Sequence, residues 1–157
     1  NRVFYMDEGG IYEDGSPEQI FDNPTRENTI RFIRKLKIHE IAIASRDFDY
    51  LGAAAGIVEF GNKNQIPPRK VTAIYSVFEE LCQQILAPVL EDPDIRFEIE
   101  YSEETEQVHA TVRYLGDRFD PADTEDELAY RVLRSRCETF EYEYVSGEWP
   151  NTINIEL

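Results

Sequence analysis

The chain has 157 residues, 41% of them apolar and 12% aromatic, which is enough for a packed core and too apolar for a disordered tail. Its formal charge of −16, from 16 Lys and Arg against 32 Asp and Glu, creates a field that repels nucleic acid and anionic lipid, so no nucleic-acid partner is expected. The charge is uneven: residues 1–37 hold 6 basic and 7 acidic residues and the remainder 10 and 25, which divides the chain into two segments, 1–37 and 38–157.

The longest small or apolar run, Leu51 to Val58, is too short to span a bilayer, so no direct membrane insertion is expected and the reading is a cytoplasmic chain. Cys82 and Cys137 lack CxxC spacing and a neighbouring His, the usage of buried thiols in a reducing compartment.

In the first segment Val3, Phe4, Tyr5 and Met6 form an unbroken apolar run, which predicts a strand covered on both faces. Glycines 9 and 10 supply a tight reversal, and Ile11 and Tyr12 make the return strand. Ser16-Pro17-Glu18 then reads as a helix start, with Ser16 as cap, Pro17 in the first helical position and Glu18 complementing the dipole. Asn23-Pro24 ends that helix, and Ile30, Phe32, Ile33 and Leu36 predict another that finishes in Arg34, Lys35 and Lys37.

The string "RVFYMDEGGIYEDGSPEQIFDNPTRENTIRFIRKL" resembles the C-terminal end of the ATP-binding subunit of ABC transporters of the polar amino-acid uptake type. The shared features are a strand with a Met-Asp-x-Gly turn, a Gly-x-Pro-x-x-Ile-Phe helix start and an Asn-Pro break, in that order. The phosphate cradle GxxxxGK[ST], the LSGGQ-like signature and an apolar strand ending in Asp-Glu are all absent from these residues. The resemblance therefore implies the tail of a longer ABC protein, with ATP and Mg belonging to the parent and its catalytic core and transporter subunits as partners. The apolar hairpin, without that core, is expected to pair in a homodimer.

From Ile38 the pattern changes. "IHEIAIA" alternates as a strand, with His39, Ile41 and Ile43 on one side. Ser45 is placed as the cap of a helix whose Phe48, Leu51, Ala55 and Val58 face inward. Arg69 to about Leu90 is the longest helix, with Val71, Ile74, Val77, Phe78, Leu81 and Ile85 inward and Pro88 as a kink. "FEIEY" and "VHATVRY" alternate as strands, Asp123 or Thr124 caps a helix through Leu128, Val132 and Leu133, and Phe140 to Val145 and Thr152 to Leu157 close the sheet. The expected fold is α+β, a two-layer sandwich of helices on a mixed sheet.

This order resembles the Bergerat, or GHKL, ATPase fold, most closely the anti-sigma-factor serine kinases. Their Glu-x-x-x-Asn motif, whose Asn binds the nucleotide's metal, aligns with Glu80 and Gln84. Their Asp-x-Gly-x-Gly-Phe with Asp-Pro aligns with "YLGDRFDP", in which Tyr114 stands for the adenine-reading Asp, Gly116 is kept and Arg118 replaces the second Gly. The lid Gly-x-Gly-Leu-Gly is replaced by Glu125-Asp126-Glu127-Leu128-Ala129, which sets carboxylates where backbone N–H groups would meet phosphates. The resemblance thus implies a degenerate domain in which Glu80, Gln84, Tyr114, Gly116 and Arg118 outline a vestigial pocket, with no catalytic residue, no metal ligand and no cofactor of its own.

Other groups read as ordinary. His39 and His109 sit in strands without a second ligand at metal spacing, and the acidic residues Glu103, Glu104 and Glu106 and those from Asp120 to Glu127 read as a solvated turn and a capped helix start. Trp149 before Pro150 is expected to pack at the rim of the last hairpin, with ligand stacking as the alternative. The expected function is an accessory, regulatory region of an ABC ATP-binding protein that acts by protein contact or small-ligand binding, at the inner face of the membrane in the parent complex. The alternatives are a divergent serine kinase and an anti-sigma-like sequestering module.

Overall fold

A computed structural model describes all 157 residues, which fold as two compact units, residues 1–37 with 102–106 and residues 38–101 with 107–157.

In the first unit β1 (Val3–Asp7) and β2 (Gly10–Gly15) form an antiparallel hairpin, followed by α1 (Pro17–Asp22) and α2 (Glu27–Ile33). Ser16 caps α1 through a bond from the Gln19 N–H at 3.2 Å. The approach to α2 is held from β2: the Glu13 carboxylate accepts from the Thr25 N–H at 2.8 Å, the Thr25 hydroxyl at 2.6 Å and the Arg26 N–H at 3.1 Å. Two expectations are corrected here. The apolar run of β1 is not covered on both faces, since Phe4 and Met6 are exposed while Val3 and Tyr5 are partly buried. The second helix stops at Ile33, because Lys35 adopts positive φ and turns the chain into the next strand, which takes Leu36.

The second unit is a sheet with helices on one face. Its strands β3 (Leu36–Ile43), β4 (Ile95–Ser102), β5 (Val108–Tyr114), β6 (Thr139–Tyr144) and β7 (Asn151–Glu156) lie in the order β3-β4-β5-β7-β6. The helical layer comprises α3 (Tyr50–Lys63), α4 (Pro68–Val77), a wider-turned segment Phe78–Leu86, α5 (Ala87–Val89) and α6 (Glu127–Ser135). The α+β class and the helix-on-sheet layering hold, but the sheet is antiparallel rather than mixed. The helices between β3 and β4 run as an α-hairpin, which returns the chain to the end where β3 finished. Arg46, just past β3, accordingly donates to the Leu90 carbonyl, just before β4, at 2.9 Å.

The core is built by alternation. Ile41 and Ile43, Ile95, Phe97 and Ile99, Val108, Ala110 and Val112, and Ile153 and Ile155 point to the helices and are buried. They meet Ile57, Ile74, Phe78, Leu81, Ile85 and Leu133, and Phe78 packs edge-on against Phe97 with ring centroids 5.5 Å apart.

Two helices differ from expectation. Helix α3 is capped by Asp49, whose carboxylate accepts from the Gly52 N–H at 2.9 Å, not by Ser45. Its inward face is Ile57, Phe60 and Gly61, whereas Leu51 is 84% exposed and Val58 also faces solvent. The apolar count pointed the wrong way because this helix approaches its neighbour through small residues: a Cβ on Gly61 would lie 2.5 Å from Val71 Cγ2. The long helix does not simply kink at Pro88. Its hydrogen bonds widen to i→i−5 over Phe78–Leu86, where the Ala87 N–H reaches the Cys82 carbonyl. Proline has no N–H for the Gln84 carbonyl and crowds it, and the wider turn relieves both conflicts. No helix is long and apolar enough to cross a membrane.

Candidate functional site

The residues expected to outline a nucleotide pocket sit on three elements of the second unit. Glu80 and Gln84 are on the widened segment, Tyr114 ends β5, and Gly116 and Arg118 lie on the loop that follows.

Tyr114 shares the inward parity of Val108, Ala110 and Val112, so its whole ring enters the core and is fully buried. Its hydroxyl donates to the Phe119 carbonyl, and burial pushes its pKa far above the ordinary phenol value. The loop from 115 to 119 is thereby tied to the ring that precedes it. Asn151 completes the tie. This fully buried side chain opens β7, where Oδ1 accepts from the Tyr142 hydroxyl at 2.7 Å and the Phe119 N–H at 3.3 Å. Its Nδ2 donates to the carbonyls of Tyr114, Gly116 and Asp117 at 3.2 to 3.4 Å. Gly116 takes φ +112, which a side chain rarely tolerates, and this lets the loop fold back over Asn151.

The segment aligned with the lid has its donors occupied in the same way. Asp120 accepts from the Ala122 N–H at 2.9 Å, Thr124 Oγ1 from the Asp126 N–H at 3.2 Å, and Asp126 from the Ala129 N–H at 2.9 Å. A triphosphate needs free backbone donors at such a helix start, and here the segment's own side chains already use them. The carboxylates of Glu125, Asp126 and Glu127 add charge of the wrong sign. Helix α6 packs directly on the widened segment through Ala129 and Leu133.

Glu80 is half-buried, and its carboxyl is held above the ordinary value first by desolvation and then by the charges of Glu79 and Asp126. Gln84 is exposed, so its amide lies in solvent rather than in an enclosed pocket. Arg118 is exposed on the loop surface. At this helix start the backbone donors of Ala122, Asp126 and Ala129 are already paired within the segment.

The remaining groups have plain roles. Cys82 is fully buried and its thiol is pushed up by burial, and the Cys137 thiol is raised to about 11 by the same cause while donating to the Leu133 carbonyl. Neither is poised for nucleophilic attack. His39 stacks on Phe60 at 5.2 Å and its pKa is lowered by desolvation. Asn151 was missed by sequence reasoning. Its signal was slight: a polar residue in the same strand parity as Ile153 and Ile155.

A hollow of about 380 Å³ lies on the opposite face of the sheet, lined by Glu40, Ala42, Arg96, Glu98, Arg113 and Trp149. Trp149 does sit at the rim of the last hairpin, with the Arg96 guanidinium 5.7 Å over its ring.

No family model matches the chain, and a comparison with curated proteins returns no match.

Proposed function

We infer that the chain is the C-terminal accessory and regulatory region of an ABC transporter ATP-binding protein, its parent an importer of amino acids, and that it has no ATPase chemistry of its own. The observation that carries the reading is the filled adenine position, with Tyr114 buried and its loop tied down by Asn151. A nucleotide-binding layout of helices on a sheet whose binding groups are spent on internal bonds suits a scaffold that works through its surfaces. Such a domain regulates by binding one conformation of its partner more tightly than another. The catalytic core and transporter subunits are the partners, at the cytoplasmic face of the membrane, with ATP and Mg held by the core.

The uncovered β1 face supports the same reading. Phe4, Met6 and Ile11 are exposed on a hairpin that would lie against the core in the parent, or against a second copy without it. The direct test is the coding sequence upstream of Asn1. A GxxxxGK[ST] cradle and a signature motif in frame are expected; an upstream region encoding neither overturns the assignment of residues 1–37.

A divergent serine kinase is the second reading, favoured by the raised, half-buried carboxyl of Glu80. It requires transfer of phosphate to a partner that is lost on Gln84→Ala. Asp126, which faces Glu80 with a like charge, argues against it.

A further inference from the structure

The helices cover one face of the sheet, so alternation sends Glu40 and Ala42 of β3, Arg96 and Glu98 of β4 and Arg113 of β5 to the other, around the hollow closed by Trp149. Arg96 and Arg113 stand directly opposite each other in the β4–β5 register. Like charges placed so destabilise a ladder unless something lies between them. Arg96 makes an ion pair with Asp94 at 3.8 Å, near the outer limit of such a contact. With only 10 basic residues among positions 38–157, this pairing concentrates scarce positive charge in one spot of an acidic surface. Trp149 holds the Arg96 guanidinium by a cation–π contact, while the N–H edge of an arginine remains suited to a carboxylate.

Glu40 and Glu98 bring the opposite sign to the same hollow. A simple anion placed there meets two glutamates, and a simple cation meets two arginines. A ligand that carries both charges a few bonds apart meets the opposite charge at each end, and the Trp149 ring and Ala42 leave an apolar wall for a side chain.

We propose that this hollow binds a small zwitterion of the α-amino acid class, its carboxylate between Arg96 and Arg113, its ammonium toward Glu40 and Glu98, and its side chain against Trp149. The proposal rests on the reading of residues 38–157 as a regulatory domain and gives that domain a small ligand. It has no bearing on whether nucleotide binds, so either conclusion can fail without the other.

Trp149 is the chain's single tryptophan, and its fluorescence reports occupancy of the hollow without a label. The full chain is titrated with each of the common L-amino acids, with acetate as the isolated anion and with ethylamine as the isolated cation. A saturable emission change is expected for at least one amino acid, with acetate and ethylamine weaker by about tenfold or more. Arg113→Gln and, separately, Glu98→Gln are expected to lower that affinity about tenfold to a hundredfold. Arg113→Gln removes a like-charge pair and should leave the circular dichroism spectrum and unfolding midpoint at or above those of the parent chain. The proposal is overturned if no amino acid changes the emission, if acetate binds as tightly as the best amino acid, or if both variants retain full affinity.

Discussion

Asn151 makes five hydrogen bonds from one buried amide, two accepted and three donated, and three of the five hold the loop that follows β5. Removing it strands three carbonyls, an N–H and a phenol at once. Asn151→Ala is expected to destabilise the second unit by about 2 to 4 kcal/mol, read from urea midpoints, with Asn151→Asp also destabilising because a carboxylate has no donor for the carbonyls. Glu13 governs the first unit in a pH-dependent way. Hydrogen bonds, chiefly from the Thr25 hydroxyl, hold its carboxyl down at about 2 against an ordinary value of 4.5. A depressed acid stabilises the fold fully above its unfolded value, and that contribution fades as pH falls from about 4.5 toward 2. Protection of the α2 amides from hydrogen exchange should therefore decline over this window. Glu13→Gln should show the lower protection at neutral pH and a flatter acid profile; an unchanged profile contradicts this role of Glu13. Neither residue announced itself in the sequence, because each acts through a tertiary contact: Glu13 holds the approach to a helix 12 to 13 positions ahead, and Asn151 serves a loop more than 30 positions behind. Ser16 was legible since its cap bond spans three residues.

Among the elements, the strands were read well and the helices less so. Period-two alternation in β4, β5 and β7 fixes which side chains enter the core, and the buried set follows that parity without exception in Ile95, Phe97, Ile99 and Tyr101. Helix α3 shows the limit of apolar periodicity. Its face against α4 is chosen by closeness of approach, so Gly61 is buried while the larger Leu51 is left outside. Gly61→Ala is expected to lower stability by about 1 to 3 kcal/mol, and Val71→Ala in the same chain should recover part of that loss, a coupling that a double-mutant cycle measures. Additive losses would mean that the two side chains do not meet. The widened turn at Phe78–Leu86 was visible only as Pro88, since the cost of an unpaired carbonyl reveals that a helix must adjust but not how.

For the molecule as a whole, the −16 charge and the apolar hairpin oppose each other. Met6 and Ile11 face each other across β1 and β2 and are both largely exposed, so sedimentation equilibrium is expected to show a dimer that strengthens with salt as charge repulsion is screened, and that Met6→Glu dissociates. A monomer at all salt concentrations contradicts this. The central claim is that a nucleotide-binding layout is retained with its pocket filled. Isothermal titration of the full chain with MgATP tests it most directly. The expected result is no saturable heat up to millimolar nucleotide, in the parent chain and in Gln84→Ala alike. Micromolar binding that Gln84→Ala abolishes would contradict the account, because it would require Tyr114, Asn151 and the lid to give way to adenine and phosphate.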